Sequence, residues 1–277
     1  MPLVHAIVLG IVQGLSEFLP ISSSGHLTLV PELFGWHELT RHPHLNKTFD
    51  VALHLGTLVA AVWYFRRELA RYVAAGWHTL RTRRVETLDA RIAWLLLLSA
   101  VPGAITGALF DNWIEDHLGD PVLIGAMLVT FGLVLWWADQ RRERREMETF
   151  DVKDAAAMGV AQALALQPGV SRSGITISMG RWLGLTRDAA ARISFLMSIP
   201  IIAGAGLYKG YEVVRDGGIR HDLVGPFLLG TAFAALSGFF AIAGLLHLVR
   251  TRSFAPFVVY RVVFGLIVIG VFASGLR

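Results

Sequence analysis

Residues 13–27 read QGLSEFLPISSSGHL. Here an amide, a carboxylate, a proline, three consecutive serines and a histidine interrupt an apolar run that opens at Leu3. Polar groups are costly in hydrocarbon unless they line a cavity or meet partners. A spanning helix needs about 20 mostly apolar residues. Residues 3–19 end at Pro20 and the apolar pattern resumes after Gly25, so neither piece spans alone. The pattern recurs once: residues 154–166 stop at Pro168 and Gly169 and resume after Gly174. Half-helices that meet at such a break and return to the same side are re-entrant hairpins, tolerated where the irregular backbone is buried in protein.

Six other segments approach spanning length: 49–65, 91–109, 121–138, 189–208, 223–249 and 256–274. The 277-residue chain is 54% hydrophobic and 17% charged, against about 25% charged in soluble domains. The expected fold is therefore an all-α polytopic membrane protein with six transmembrane helices plus two re-entrant helical hairpins. It forms a single membrane domain over residues 1–277. The pI near 9.8 is explained by arginine-rich loops on the cytoplasmic side rather than by a nucleic-acid surface. No cysteine is present, which excludes disulfide scaffolds, thiol nucleophiles and cysteine–zinc sites. The N-terminal run lacks a basic n-region and a small-residue cleavage site, so it reads as mature protein rather than a signal peptide.

Lys and Arg set the orientation. Residues 66–91 carry seven arginines and residues 139–153 carry four arginines and a lysine, while residues 110–120 carry four acids and no Lys or Arg. With the basic loops inside, the first hairpin opens outside, the second opens inside, and both termini lie outside. That is a hairpin and three spans, twice, in an inverted-topology repeat. The halves are about 1–138 and 154–277, joined by a basic cytoplasmic loop at 139–153. A shift of 149 residues superposes Gln13 on Gln162, Leu15 on Leu164, Ser22 on Ser171, Ser24 on Ser173 and Gly25 on Gly174. Inverted repeats place binding sites where broken helices meet near the midplane.

In the first hairpin Gln13 and Glu17 share a helix face at i, i+4. Ser22, Ser23, Ser24 and Gly25 then bring hydroxyls and free N–H groups to a helix start, a ready anion site. His26 sits close enough to share a proton with Ser23 or a bound phosphate. In the second hairpin Ser171 and Ser173 flank Arg172, and Thr176 follows one turn on. Two hydroxyl clusters around one guanidinium suit a phosphate.

A structural reading stands beside each of these. Glu17 and Arg172 could be a plain ion pair, Ser22–Ser24 helix caps, and His26 a satisfied interior histidine. His5 and His247 read as packing residues, and Trp36, Trp63, Trp113, Trp136 and Trp137 as interfacial anchors. Arg192 and Arg261 read as snorkelling cations. Residues 66–84 read as a solvated loop with affinity for anionic lipid.

QGLSEFLPISSSGHL (13–27), FDVALHLGTLVAAVWYF (49–65) and QPGVSRSGITIS (167–178) together resemble the undecaprenyl-pyrophosphate phosphatases of the BacA/UppP type, from the first hairpin to the final span. The resemblance implies a bacterial inner-membrane hydrolase, an undecaprenyl-diphosphatase that recycles the lipid carrier of peptidoglycan synthesis and cell wall biogenesis and confers bacitracin resistance. It further implies a divalent cation, Mg2+ or Ca2+, and an active site open to the periplasm. The family's first motif, Glu or Gln then Glu four residues on, falls on Gln13 and Glu17, so its first position takes the amide form. The second motif falls on Gly169, Ser171, Arg172, Ser173 and Thr176. The type-two phosphatidic acid phosphatases are set aside, because no matching histidine follows Ser173.

On this reading the substrate is a polyprenyl pyrophosphate lipid, its tail between helices or among membrane lipids. Arg172 clamps phosphates, assisted by Ser171, Ser173, Thr176 and helix N-termini. Ser23 is the expected nucleophile, with Ser22 and Ser24 as alternatives, and the base is either His26 or Glu17. Glu17 is alternatively the metal ligand. Nucleic acid is not expected as a partner, and a homodimer is left open. The rival class is a transporter or flippase of a polyprenyl phosphate lipid, since broken helices in inverted repeats also mark carriers. A non-catalytic lipid-binding scaffold is a third.

Overall fold

The computed structural model describes residues 1–36, 43–215 and 221–274. Among them the chain is helical: α1 (Leu3–Phe18), α2 (Ser23–Phe34), α3 (Pro43–Tyr64), α4 (Arg66–Thr82), α5 (Leu88–Leu118), α6 (Pro121–Asp139), α7 (Val152–Leu164), α8 (Arg172–Trp182), α9 (Arg187–Arg215), α10 (Val224–Leu248) and α11 (Ala255–Ala273). The described residues form no strand, only an isolated bridge between Arg145 and Leu185. Helices α5, α6, α9, α10 and α11 are long and apolar enough to cross a bilayer, and α3 with α4 makes a sixth if that bent pair is one span. The chain is a multi-pass membrane protein.

Local chemistry sets the starts. Asp120 caps α6 by accepting the Leu123 N–H at 2.9 Å, ahead of Pro121 at the first helical position. Asp151 and Asp154 form a reciprocal capping box at α7, with both bonds at 3.0 Å. The two breaks fall at residues 19–22 and 165–171. Each second half-helix starts two or three residues earlier than the glycine signal implies, because a serine rather than the glycine caps it.

Packing is reciprocal. The half-helix α1 lies on α10, α7 lies on α5, and α6 and α11 lie on each other. Two of these crossings are glycine contacts. A β-carbon at Gly10 would sit 2.4 Å from the Gly230 carbonyl oxygen, and one at Gly265 would sit 2.7 Å from that of Gly125. In lipid, close backbone approach of this kind replaces the hydrophobic driving force between helices. At the end of α6 a charged knot ties residues 139–145 to the later helices. Asp139 accepts Arg187 Nε at 2.7 Å and the Phe254 N–H at 3.1 Å, and Arg145 binds both oxygens of Asp154 at 2.9 and 2.6 Å.

The acidic stretch 110–120 is helical as far as Leu118. Two expectations are corrected. Most of the basic stretch 66–84 is not a loop but α4, turned 84° from α3. Arg261 does not snorkel: it is 0% exposed.

Candidate active site

The two breaks are alike in backbone. Ser22 (φ 79°) and Ser171 (φ 73°) both sit at positive φ, where a non-glycine residue is strained by about 1–3 kcal/mol. Each hydroxyl oxygen then accepts the N–H three residues on, from Gly25 at 3.3 Å and from Gly174 at 3.1 Å. Each break is also bonded to the other. Ser22 Oγ accepts the Gly169 N–H at 3.2 Å, and Ser173 Oγ donates to the Leu19 carbonyl at 3.0 Å. At Gly169 (φ 92°) a β-carbon would lie 2.6 Å from the Ile124 carbonyl oxygen, so only glycine fits.

Glu17 stands where the breaks meet, 5% exposed. Its Oε1 accepts Arg172 Nε and Nη2, each at 3.2 Å, while Arg172 Nη1 donates to the Ser194 carbonyl at 3.0 Å. Its Oε2 accepts the Ser23 hydroxyl at 2.7 Å and Gln13 Nε2 at 3.2 Å. Of the three adjacent serines, Ser23 alone is bonded to a carboxylate in the described contacts. Ser24 reaches only Ser22, at 3.5 Å.

Glu17, Ser23, Ser24, Ser171 and Arg172 open onto one cavity of about 340 Å³. Lys47, Asp50 and His54 of α3 and Lys209 of α9 line it further out, and Ile201, Ile202 and Leu166 give it an apolar wall. Its mixed lining suits a ligand with a charged head and an apolar body.

The other predicted residues take supporting places. His26 is turned away from Ser23: Nδ1 donates to the Ser22 carbonyl at 2.7 Å, and Nε2 accepts the Tyr260 hydroxyl at 2.7 Å. The ring also stacks on Phe264 at 4.8 Å. Thr176 bonds Ser194 Oγ and the Arg172 carbonyl, both at 2.7 Å, and so backs the helix rather than facing the cavity. Gln13 and Gln162 each keep a buried amide oxygen without a partner.

Two residues were missed as members of the site. His54 donates from Nδ1 to the Asp50 carbonyl at 2.7 Å, which turns Nε2 towards Glu17 Oε2 at 3.6 Å. Its place in FDVALHLG, four residues after an acid on one helix face, was the available signal. Arg261 of α11 donates Nη1 to the Pro20 carbonyl at 3.3 Å and Nη2 to the Gly169 and Val170 carbonyls, each at 2.9 Å. Nothing in the sequence separates it from a snorkelling arginine.

A cation finds no ready cage. Among the described residues no three His, Cys, Asp or Glu side chains converge, and both Glu17 oxygens are already engaged. The residues present do not by themselves fit Mg2+ or Ca2+.

Residues 6–267 match the family profile described as Bacitracin resistance protein BacA. The chain is similar to the undecaprenyl-diphosphatase of Gemmatimonas aurantiaca, 47% identical over 98% of both chains. It is also similar to that of Pelotomaculum thermopropionicum, 46% identical over 97% of this chain and 96% of the relative. Undecaprenyl-diphosphatase 2 of Stutzerimonas stutzeri is 42% identical over 99% and 100%.

Proposed function

This chain belongs to the BacA family of bacitracin resistance proteins, and from that premise we propose how it acts as an undecaprenyl-diphosphatase. It is a membrane phosphatase that hydrolyses undecaprenyl pyrophosphate and returns undecaprenyl phosphate to cell-wall synthesis. The observation that carries the mechanism is the contact of Ser23 Oγ with Glu17 Oε2 at 2.7 Å, facing the cavity beside Arg172.

Glu17 is the base and Ser23 the nucleophile. As Ser23 Oγ forms a bond to the terminal phosphorus, Glu17 Oε2 takes its proton. The bond from that phosphorus to the bridging oxygen breaks, and the lipid monophosphate leaves with the proton from Glu17. Water then attacks the phosphoserine. Glu17 accepts the proton of that water and returns it to Ser23 Oγ as inorganic phosphate departs. Arg172 exchanges part of its bond to Glu17 for the phosphoryl oxygens, where charge is carried in the transition state. Gln13 holds Glu17 in register, and His26 acts through the Ser22 carbonyl by fixing the turn that presents Ser23. The carrier reading does not require this serine–carboxylate contact.

The architecture that supports the mechanism is a pair of re-entrant hairpins in an inverted repeat, halves 1–138 and 154–277. The matching serine caps and the reciprocal packing of α1 on α10 and α7 on α5 support it. The basic loop at 139–153 then lies in the cytoplasm and the cavity opens to the periplasm. In intact cells a cysteine at His117 is expected to react with an impermeant thiol reagent and one at Arg144 to stay protected. The reverse pattern overturns the orientation.

The cation implied by the resemblance would have to come with the substrate, since these residues offer it no cage. Chelation is then expected to lower turnover and leave the melting temperature of the substrate-free protein unchanged. A chelator-induced drop in melting temperature would point to a resident ion instead. Hydrolysis itself is tested by inorganic phosphate release from farnesyl or undecaprenyl diphosphate in detergent. No release under any cation condition defeats the assignment.

A further inference from the structure

Helix α4 divides into three lengthwise sectors at 100° per residue. One faces the protein through the buried Tyr72 and half-buried Leu69 and Thr79. The next is apolar and open: Val73, Trp77 and Leu80, at i, i+4 and i+7, are 70%, 57% and 58% exposed. The third carries the exposed Arg67, Arg71, His78 and Arg81. The 84° turn from α3 lays the helix across the direction of the spans. A cation stripe beside an open apolar stripe is the pattern of a helix lying in the plane of a lipid interface. Arg81 reaches over the Trp77 ring at 5.5 Å, joining the two stripes. Of the acids nearby, Glu68 lies 3.7 Å from Arg192 of α9, and Asp89 of α5 lies 3.8 Å from Arg71. The stripe keeps a surplus of positive charge.

We propose that α4 is an interfacial helix that binds anionic phospholipid headgroups, with Trp77 and Leu80 in the acyl boundary and Arg67, Arg71 and Arg81 at the phosphates. The test reconstitutes the full chain into vesicles in which either phosphatidylglycerol or phosphatidylcholine carries brominated acyl chains. The Trp77 signal is isolated by difference from Trp77→Phe. Expected is stronger Trp77 quenching by brominated phosphatidylglycerol, with the preference lost in an Arg67→Gln, Arg71→Gln, Arg81→Gln triple variant. Equal quenching by both lipids, or none at Trp77, overturns the proposal.

A second inference rests on Arg261 and on the mechanism above. A guanidinium buried to 0% exposure is spent on backbone carbonyls at both breaks and at Leu128, the last at 3.2 Å from Nε. Among its described contacts there is no carboxylate. The geometry assigns Arg261 as the positioning residue that fixes one break against the other, and so Ser23 against Arg172. A misplacement of about 1 Å costs on the order of 100-fold in rate. Arg261→Lys keeps a cation but loses the fork, and kcat for farnesyl diphosphate is expected to fall about that far. Val268→Ala, in the same helix but away from the breaks, is the stability control. If Arg261→Lys loses no more kcat than Val268→Ala at matched melting temperature, the assignment is overturned. The separate finding that wild-type protein releases no phosphate would instead defeat the mechanism on which it rests.

Discussion

The first break, between α1 and α2, and the second, between α7 and α8, share a backbone and differ in chemistry. Both carry a strained serine cap, a glycine three residues on, and a glutamine in the half-helix before. At the 149-residue shift, however, Glu17 falls on Leu166, Ser23 on Arg172 and His26 on Ile175. One break thus holds the serine–carboxylate contact to which the proposed mechanism gives nucleophile and base, and the other the guanidinium that meets it. The shared parts keep two irregular segments buried, and the unshared parts form the proposed reaction centre. A symmetric scaffold is no obstacle to an asymmetric reaction, because each cap serine is occupied by backbone and the next residue is free to differ.

The sharpest way to break this comparison is to remove the unshared residues. Ser23→Ala, Glu17→Gln and Arg172→Ala are each expected to lower phosphate release by about 1,000-fold or more while the protein remains inserted. Turnover near wild type in any one removes that residue from the mechanism. Pairing the two glutamines gives a smaller contrast. Gln13→Leu frees Glu17 from a neighbour at 3.2 Å, whereas Gln162 among the described residues bonds the Ser99 carbonyl, at 3.4 Å, and no carboxylate. Steady-state rates are expected to fall roughly 10-fold for Gln13→Leu, one hydrogen bond to a charged group, and less for Gln162→Leu. Equal losses would mean that Gln13 does not act through Glu17. The mildest probe is the shared caps. Ser22→Ala and Ser171→Ala should each cost about 1 kcal/mol of stability, seen in thermal melts. The Ser22 loss should be the larger, because its oxygen also accepts the Gly169 N–H.

Much of this was legible in the sequence where a residue's type alone limits its surroundings. Proline and glycine at residues 20 and 168–169 could not continue a helix, and hydropathy located the five helices long and apolar enough to cross a bilayer within a few residues at most ends. Glu17 and Arg172, as lone charges in apolar runs, announced each other. The rest depended on direction, which side-chain type does not carry. Whether His26 or Glu17 meets Ser23 depends on the rotation of α2 about its axis, and Tyr260, 234 residues away, receives the histidine. Helix α4 hid because its arginines lower mean hydropathy, although their spacing leaves an apolar stripe. Arg261 hid because one cation near a span end reads the same whether it points to water or to carbonyls.

Arg261 has a consequence for the order in which the molecule is made. It bonds Pro20 across 241 residues of chain. At about 5–20 residues per second of synthesis, roughly 10 to 50 s separate the emergence of the first break from that of its guanidinium. During that interval the Pro20 carbonyl, and those of Gly169 and Val170 once they are made, lack the donor that later meets them. The contacts that fix one break against the other are therefore completed late in biogenesis, after both breaks have been made.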